Sequence, residues 1–327
     1  MEDLTVSIKT SYLRSKETDE SRLRKKDLVE RIESIVLTKY PNNKVVVIGS
    51  SSNGFGTNSS DFDLTILHLQ RYGNPFGITI LIDLEKVLKQ DRDTFKAIEV
   101  ISGAKVPIIT FEYELGYCRF SCDVSIDRLN NVFNAVLLKA YTEVDDRVQP
   151  LTLGLKKWAH AAKIIDPRNY KIGSFTLTLM VIHYLQCGCS PSVLPSLQKL
   201  HPSIFDTSKA RELTRYIDGS LPTIVTSYVS ANKQSIGELF VGFFQHYSSF
   251  IWHNRGISIR SGEMISRPRK RGSNNTCIYV EDPYELNSNT ARSVFRENVW
   301  SGIKEKFCKG KTLLENGATF ESLLANA

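Results

Sequence analysis

The sequence predicts a small α/β domain followed by a larger, mainly helical domain. Between residues 44 and 127, short apolar runs of strand character alternate with short connections, whereas apolar residues recur at helical spacing from about residue 130. A chain of 327 residues is long enough for two cores, and its 41% hydrophobic and 24% charged content is that of an ordinary globular protein.

The first domain is predicted from strand signals and one helix. Residues 45–48 are all β-branched and apolar, and residues 106–113 (VPIITFEY) are rich in β-branched and aromatic side chains. Pro107 favours an early or edge position in that strand. Residues 119–126 alternate between apolar and polar side chains, as in a strand with one buried face. The stretch near residues 80–88 has a helical pattern.

The other segments are predicted to be helical, apart from one short strand. Residues 1 to about 40 are predicted to form a helix with one apolar stripe, made by Leu28, Ile32, Ile35 and Val36. Residues 175–185 (FTLTLMVIHYL) are almost wholly apolar but too short to span a bilayer, which predicts a buried core helix. Further helices are predicted at residues 132–141, 151–162 and 235–252, and a strand at residues 277–280.

The most informative segment lies in the first domain and reads VVVIGSSSNGFGTNSSDFDLTIL. Asp61 and Asp63 open an apolar run, and successive strand side chains alternate faces, so the two carboxylates project to the same side. Carboxylates this close repel each other unless a cation lies between them, and Mg²⁺ prefers such oxygen ligands together with substrate phosphates. The turn at Gly49 and Ser50 offers backbone N–H groups and hydroxyls to an anion. The segment therefore predicts a metal and triphosphate site, which is the chemistry of nucleotidyl transfer.

A third carboxylate lies on another predicted strand. Asp123 belongs to the polar face of residues 119–126, between two serines. Beside Asp61 and Asp63 in one sheet, it would complete a three-carboxylate, two-metal site that activates the attacking oxygen and stabilises the leaving one. An Asp-x-Asp pair is also common on solvated turns, and a Gly/Ser-rich loop is also an ordinary hairpin connection. The conjunction of strand, Gly-Ser turn and three acids favours the metal site.

Composition excludes several classes of protein. The N-terminal segment lacks the basic start and apolar block of a signal peptide, and no apolar run is long enough for a membrane span, so no membrane partner is predicted. The six cysteines form no disulfide framework, and Cys187 and Cys189 are too closely spaced for the usual zinc pairing. Free thiols indicate a reducing compartment, either the cytosol or the nucleus.

Basic residues give the chain a net charge of +7 and a pI near 9.0, which agrees with a polyanionic partner. The run at residues 267–271 (RPRKR) has two interpretations, an RNA-backbone contact or import signal, and a solvated flexible loop. The run at residues 22–26 (RLRKK) is predicted to form the solvent face of a helix start.

The segment GSSSNGFGTNSSDFDLTIL resembles the signature of the polymerase-β-like nucleotidyltransferases, specifically the cytoplasmic terminal poly(A) and poly(U) polymerases. Further segments match that family in the expected order, from about residue 45 to residue 295. They are Cys122-Asp123-Val124, Asp145-Asp146-Arg147-Val148-Gln149-Pro150, Leu155-Lys156-Lys157-Trp158-Ala159, the run from Ser174 to Leu185, and Glu281-Asp282-Pro283-Tyr284-Glu285. Within the family, the chain looks most like the catalytic subunit of the cytoplasmic germline-type poly(A) polymerases, which carry no RNA-binding domain of their own.

The resemblance implies an α/β catalytic domain that is palm-like, with a mixed sheet, at residues 25–130. It also implies a mainly helical central domain made of residues 1–24 and 131–327, with the active-site cleft between the two. The central domain would include a nucleotide-recognition segment at residues 277–292.

The resemblance also assigns roles to single residues. Asp61, Asp63 and Asp123 would hold Mg²⁺, with Mn²⁺ as an alternative, and Asp123 would activate the RNA 3′-hydroxyl. The remaining residues would contact the substrate ATP: the triphosphate through Gly49, Ser50, Lys156 and Ser174, the ribose through Asn134, and the base through Phe175, Asp282 and Glu285. Without the resemblance, Lys156 is predicted to be a solvated helix lysine, Phe175 a core aromatic and Asn134 a helix N-terminal or surface asparagine.

Two positions depart from the family pattern, and a third differs from the uridylyl-transferring relatives. Phe175 replaces the usual tyrosine, which keeps the ring face and loses the hydroxyl. His160 stands where relatives carry a second phosphate-binding lysine, which leaves that contact open. Uridylyl-transferring relatives carry a histidine just after the Glu-Asp-Pro segment, and Ser288 lies at about that place. The smaller residue leaves room for adenine, which favours ATP over UTP.

The resemblance therefore implies a template-independent RNA 3′-terminal adenylyltransferase that extends mRNA tails. A terminal uridylyltransferase that uses UTP is one alternative, and a catalytically inactive nucleotidyltransferase-fold scaffold is another. No RRM-type aromatic motif or KH-type clamp is evident, so we expect an RNA-binding adaptor protein that forms a heterodimer with the chain and tethers it to single-stranded RNA 3′ ends. The expected location is the cytoplasm, and the nucleus is left open.

Overall fold

The structure, a computed structural model, describes residues 1–69, 77–103, 106–216, 221–268 and 276–327. The chain divides into two compact units. The sheet unit comprises Ser15–Lys139 and Ala210–Leu221, and the helical unit comprises Met1–Arg14, Ala140–Lys209 and Pro222–Ala327. The domain bounds given above, at residues 25–130 and at residues 1–24 with 131–327, stay a prediction, as does the cleft.

Five strands form the sheet of the sheet unit: β1 (Asn43–Ile48), β2 (Phe62–His68), β3 (Phe95–Ile101), β4 (Ile108–Leu115) and β5 (Cys118–Ile126). Their order is β1-β2-β5-β4-β3. The β2–β5 pair is parallel and the other pairs are antiparallel, so the predicted mixed sheet is confirmed. The helical unit contains a separate two-stranded sheet of β6 (Arg255–Ser258) and β7 (Glu263–Ser266).

Most of the remaining chain is helical. The α-helices are α1 (Glu2–Ser15), α2 (Asp19–Lys39), α3 (Ser50–Asn53), α4 (Ile78–Leu88), α5 (Leu129–Val144), α6 (Val148–Ala161), α7 (Ser174–His183), α8 (Leu197–Leu200), α9 (Pro202–Phe205), α10 (Thr223–Thr226), α11 (Ile236–Ser248), α12 (Glu297–Glu315) and α13 (Phe320–Ala325). A π-helical turn at Tyr184–Gly188 continues α7, and short 3₁₀ helices cover Pro167–Asn169 and Thr207–Tyr216. No helix among the described residues combines the length and the apolar composition that crossing a bilayer requires.

The mixed sheet is covered on both faces. The larger apolar cluster lies between the sheet and the stripes of α2 and α4, and it includes Leu28, Ile32 and Val36 of α2, as the stripe predicted. On the other face a smaller cluster joins Val46 and Leu67 to the start of α5. Because each strand alternates its side chains between these faces, the sheet fixes which residues lie beside each other at its ends.

Aromatic side chains fill the core of the helical unit. The Trp158 ring of α6 contacts the rings of Phe244 and Phe307, with centroids 4.5 and 5.1 Å away. Ile8 of α1 is fully buried in the same unit and lies against Gly154 of α6. The apolar run predicted at residues 175–185 is a buried core helix, continued by the π-helical turn.

Two predicted elements differ from the structure. Residues 1 to about 40 form two helices, because Thr18 caps the second helix, accepting a hydrogen bond from the Ser21 N–H at 3.1 Å. Between the helices, Lys16 forms an isolated bridge with Thr57. Residues 277–280 form no strand, since their pairing with β6 is limited to the single bridge Ile257–Val280, and β6 forms its ladder with β7.

Candidate active site

Asp63 and Asp123 are direct neighbours in the sheet. They are Cα partners in the parallel pair of β2 and β5, and Asp61 lies one residue before β2. The alternate side chains Phe62 and Cys122 are buried in the apolar cluster on the opposite face. The strand register therefore brings the three predicted acids to one end of the sheet, within a single unit.

The acidic side chains perturb one another. Burial, followed by the charges of Asp123 and Asp61, raises the pKa of Asp63 to about 7. Burial also raises the pKa of Asp61, with further contributions from the charges of Asp123 and Glu112. A cation bound between these two carboxylates would reduce their repulsion and favour their ionised form.

The donor set fits a hard divalent cation by its chemistry. Across the described ranges, no group of three or more His, Cys, Asp or Glu side chains is arranged so that it could hold a metal ion as it stands. Mg²⁺ binds oxygen ligands, commonly one or two carboxylates together with substrate phosphates. The carboxyl groups of Asp61, Asp63 and Asp123 supply that type of ligand from adjacent positions.

Gly49 makes the close approach of Asp63 to the Gly-Ser turn sterically feasible. It has a φ of +67°, which L side chains rarely adopt, and a Cβ at this position would lie 2.2 Å from Asp63 Oδ2. Ser50 follows directly and begins α3. The predicted triphosphate turn and the predicted metal ligand are therefore in contact at Gly49.

The rest of the loop that follows Gly49 is held by its own hydrogen bonds. The N–H of Phe55 donates to Asn53 Oδ1 at 3.0 Å, and the N–H of Thr57 donates to Ser60 Oγ at 2.9 Å. The segment before α2 adds two bonds: Asn58 N–H donates to the Ser15 carbonyl and Thr18 N–H donates to Asn58 Oδ1. The loop is therefore fixed between β1 and Asp61.

Lys25 is a residue of this site that the sequence interpretation missed. The run at residues 22–26 was predicted to face solvent, and that is wrong for Lys25, which is only 4% exposed. Its Nζ lies 2.7 Å from Glu17 Oε1 and 3.1 Å from Ser51 Oγ, over the rings of Phe62 and Phe120. The signal was available, because position 25 lies on the helical stripe that continues through Leu28.

Asn134 also belongs to the sheet unit, on α5. It is buried, and its Oδ1 atom has no hydrogen-bond partner among the described residues. The prediction of a surface asparagine, made without the resemblance, is therefore wrong. A buried amide oxygen without a partner is costly, and a ligand hydroxyl is one way to satisfy it.

Lys156, Ser174 and Phe175 lie in the helical unit. Burial lowers the pKa of Lys156 to about 8, which sets it apart from its exposed neighbour Lys157. His160 follows one turn later on α6, and burial together with the Lys156 charge lowers its pKa. Ser174 is the first residue of α7, and it and Phe175 are half-buried.

The segment predicted to recognise the nucleotide is anchored to β6 by Glu281. The buried Glu281 carboxylate accepts hydrogen bonds from Ser258 Oγ at 2.5 Å and from Arg260 Nη2 at 2.7 Å. Asp282 Oδ1 accepts from the N–H groups of Tyr284 and Glu285, so Asp282 shapes the turn that carries Glu285.

Glu285 is exposed and lines a cavity of about 1070 Å³ in the helical unit, together with Ser288. Arg267, the first residue of the basic run, also lines this cavity and donates to the carbonyls of Trp252 and Cys277. Arg267 therefore has a structural role, and residues 269–271 of the run lie outside the described residues.

Two family models match the chain. The family described as "Poly(A) RNA polymerase, mitochondrial-like, central palm domain" matches residues 4–143. The family described as "Cid1 family poly A polymerase" matches residues 235–288. The first match contains the three acids, and the second contains Glu281, Asp282, Glu285 and Ser288.

Curated relatives match almost the whole chain. The poly(A) RNA polymerase GLD2 of Rattus norvegicus is 33% identical over 315 residues, which cover 93% of this chain and 63% of the relative. GLD2-A of Xenopus laevis is 32% identical over 306 residues, which cover 92% of this chain and 58% of the relative. The chain thus spans less than two thirds of the length of these relatives.

Solved structures share the fold. The structure of a GLD-2/RNP-8 complex covers 98% of this chain and 97% of its own, with a TM-score of 0.80 and 26% identity. A structure of Cid1 in complex with a UTP analogue covers 99% of this chain and 98% of its own, with a TM-score of 0.81 and 23% identity. The predicted polymerase-β-like nucleotidyltransferase fold is confirmed, and the chain is homologous to the GLD2 poly(A) RNA polymerases.

Proposed function

We propose that this chain adds AMP residues from ATP to the 3′ ends of RNA without a template. The observation that carries the proposal is the parallel register of Asp63 with Asp123, next to a turn whose Gly49 leaves room for the Asp63 carboxylate. The similarity to the GLD2 poly(A) RNA polymerases supports RNA as the acceptor and ATP as the donor.

The carboxylates have distinct tasks in this proposal. Asp61, Asp63 and Asp123 hold Mg²⁺, with Mn²⁺ as the alternative. The ion supplies electrostatic stabilisation of the charge that develops on the phosphate oxygens. Asp123 orients the RNA 3′-hydroxyl and accepts its proton, and the oxygen then attacks the α-phosphorus in line with the departing pyrophosphate. Burial and the neighbouring carboxylates raise the pKa values of Asp61 and Asp63, and the charge of the Lys25 ammonium opposes part of that rise.

The remaining predicted residues bind ATP. Backbone N–H groups at Gly49 and Ser50, the Lys156 ammonium and the Ser174 hydroxyl contact the triphosphate. The ribose is held by Asn134, whose buried Oδ1 lacks a partner among the described residues. The Phe175 ring stacks on the base, and Asp282 and Glu285 face the base edge. Of these two acids, Glu285 is the more exposed one.

The proposed partner is an RNA-binding adaptor protein that forms a heterodimer with this chain. The similar GLD-2 structure is a complex with a second protein, RNP-8, which supports a protein partner. The proposed location is the cytoplasm.

The proposed function is tested by extension of a 3′-end-accessible oligo(A) RNA with Mg²⁺ and each nucleoside triphosphate alone. ATP is expected to support extension, whereas Asp63→Ala should lose it by about three orders of magnitude or more while retaining the fold by circular dichroism. Asp93→Ala, which removes an exposed carboxylate, is the matched control and should stay active. An active Asp63→Ala protein would refute the metal assignment.

Uridylyl transfer is the second candidate, and the Cid1 complex with a UTP analogue favours it. Ser288, in place of a histidine, opposes it because a smaller side chain leaves more room for a purine. The same extension assay decides between them, since preferential use of UTP would overturn the adenylation proposal. Lack of turnover with every nucleotide, alone and with an adaptor, would favour the inactive scaffold.

A further inference from the structure

Tyr170, Phe295 and Arg296 form an aromatic and cationic surface that the proposed reaction leaves unused; we refer to it as the Tyr170 platform. The Arg296 guanidinium carbon lies 3.7 Å from the centre of the Tyr170 ring. The Phe295 ring meets the Tyr170 ring edge to face, with centroids 4.9 Å apart and planes at 75°. The three side chains therefore support one another in a single arrangement.

The platform presents one aromatic ring and one guanidinium to solvent. Phe295 keeps 41% of its surface exposed, and Arg296 is exposed as well. Tyr170 has a φ of +64°, an unfavourable conformation for a residue with a Cβ. Tyr170 adopts this conformation as the C-cap of the 3₁₀ helix Pro167–Asn169, which fixes its ring under the Arg296 guanidinium.

The surroundings are basic. Residues 163–171 and 292–297 together carry five basic and two acidic residues. Arg168, Arg292 and Arg296 are exposed, and none of them forms an ion pair with another described residue. Unneutralised guanidinium groups around a planar surface suit a strand that carries both phosphates and bases.

Hydrogen bonds connect the platform to the proposed nucleotide contacts. Ser293 Oγ donates to the Lys171 carbonyl at 2.7 Å, and Thr176 Oγ1 donates to the Thr290 carbonyl at 2.9 Å. These bonds tie the end of the recognition segment to the stretch that runs from Tyr170 into α7. Ser174 and Phe175 begin that helix, so the platform is continuous in structure with the proposed ATP contacts.

We infer that the Tyr170 platform binds the single-stranded RNA acceptor, upstream of the nucleotide that is extended. The inference rests on the proposed function for its choice of RNA. The outer face of the Arg296 guanidinium and the exposed Phe295 ring stack on bases, a contact that tolerates any base sequence. Arg168 and Arg292 contact the phosphates. Tyr170 holds the Arg296 guanidinium flat and contributes through it.

The test measures the binding of a fifteen-nucleotide oligo(A) RNA with a blocked 3′ end to the full chain, by fluorescence anisotropy without ATP. Phe295→Ala and Arg296→Gln should each raise Kd by about tenfold, since loss of one stacking contact has an effect of that order. The matched controls are Tyr117→Ala, which removes a fully exposed ring in the sheet unit, and Lys309→Gln, which removes an exposed charge of α12. Both controls should stay within about twofold of the parent chain, and ATP affinity should be unchanged in all four variants.

An abasic strand of the same length distinguishes base stacking from general attraction to anions. The parent chain should prefer oligo(A) to the abasic strand, and Phe295→Ala should abolish that preference. Unchanged RNA affinity in Phe295→Ala and Arg296→Gln would overturn the inference, and so would an equal loss in Lys309→Gln. Equally tight binding of the abasic strand or of an acidic peptide would assign the surface to another partner. Because the assay needs no turnover, a chain that binds RNA through the platform but transfers no AMP would refute the proposed function alone.

Discussion

The buried Lys25 ammonium lies 3.1 Å from the hydroxyl oxygen of Ser51, and it thereby connects α2 to the loop that follows Gly49. Its charge is balanced by Glu17, whose Oε1 atom is 2.7 Å away. Both side chains are largely withdrawn from water, so neither tolerates the loss of the other. The contact joins the N-terminal part of the sheet unit to the proposed triphosphate turn.

Lys25→Met should destabilise the protein strongly. The substitution keeps the approximate volume of the side chain but removes the nearer of the two cations of Glu17, leaving Arg22, whose Nε lies 3.9 Å from Glu17 Oε2. Breaking a buried pair costs about 3–5 kcal/mol, and the more exposed Arg22 offsets part of that loss. Urea unfolding measures the change, and Lys26→Met is the matched control because Lys26 is exposed. The control should stay within about 0.5 kcal/mol of the parent chain. Equal stabilities of Lys25→Met and Lys26→Met would show that the buried pair contributes nothing.

Gly49→Ala should abolish most of the activity. The new Cβ would lie 2.2 Å from Asp63 Oδ2, so either the carboxylate or the turn has to move. A displacement of about 1 Å in a catalytic group lowers the rate by about 100-fold. The matched control is Gly116→Ala, because Gly116 has a similar φ of +62° and no atom of the described residues lies within 4 Å of the added Cβ.

Gly116→Ala should lose about 1–2 kcal/mol of stability from backbone strain and keep its activity. Steady-state kinetics and urea unfolding of both variants separate the two effects. If Gly49→Ala retained full activity, the contact between the turn and Asp63 would have no catalytic importance.

Asp63 should make the metal-free protein less stable as pH rises. Its pKa in the folded protein is about 7, against an ordinary value of 3.8, so between these values the unfolded chain releases a proton that the folded chain keeps. Stability therefore falls as pH rises from about 4 to about 7, by up to about 4 kcal/mol, and this contribution is constant above that range. Urea unfolding in EDTA at several pH values should show a flatter profile for Asp63→Asn.

Added Mg²⁺ should reverse part of this loss at pH 8. An ion that binds only the folded protein raises its stability by mass action, and ionised carboxylates are the form that binds it. The rise in Tm should be larger for the parent chain than for Asp63→Asn. Identical shifts in the two proteins would place the bound ion elsewhere.

The pH profile of kcat/KM for ATP should have a falling alkaline limb, because Lys156 loses its proton there. Burial lowers its pKa to about 8, so the ammonium that we propose as a triphosphate contact is lost as pH rises through that value. kcat/KM reports the pKa values of the free enzyme, and it should fall by up to about tenfold per pH unit above pH 8. Lys156→Arg should move this limb beyond the accessible range because a guanidinium stays charged. Lys157→Arg, at an exposed neighbouring position, should leave the profile unchanged.

The strands and the main helices could be predicted because their signals are local. Alternation in β5 showed which side chains are buried, and the stripe through Leu28 and Ile32 showed the buried face of α2. The prediction for Lys25 followed its charge instead of its place on this stripe, and it is wrong. A lysine in a run of cations usually faces solvent, and the folded chain shows that Glu17 and Ser51 supply the polar partners of this buried one.

The break between α1 and α2 was also not predicted. It depends on the Thr18 cap and on the pairing of Lys16 with Thr57, which is distant in sequence. As a result α2 joins the sheet unit, whereas most of α1 joins the helical unit.

The sequence by itself determined the chemistry: paired acids after a Gly-Ser turn, a third acid on an alternating strand, and an ordered set of motifs that resembles one family. These features are readable because side-chain type and strand periodicity are properties of contiguous residues. Only the tertiary structure decided that Asp63 pairs with Asp123 in register, that Gly49 lies against the Asp63 carboxylate, and that Asn134 is buried with no partner for its oxygen in the described part of the chain. Those relationships join residues far apart in the chain, and they follow from sheet pairing and packing, which no local pattern encodes.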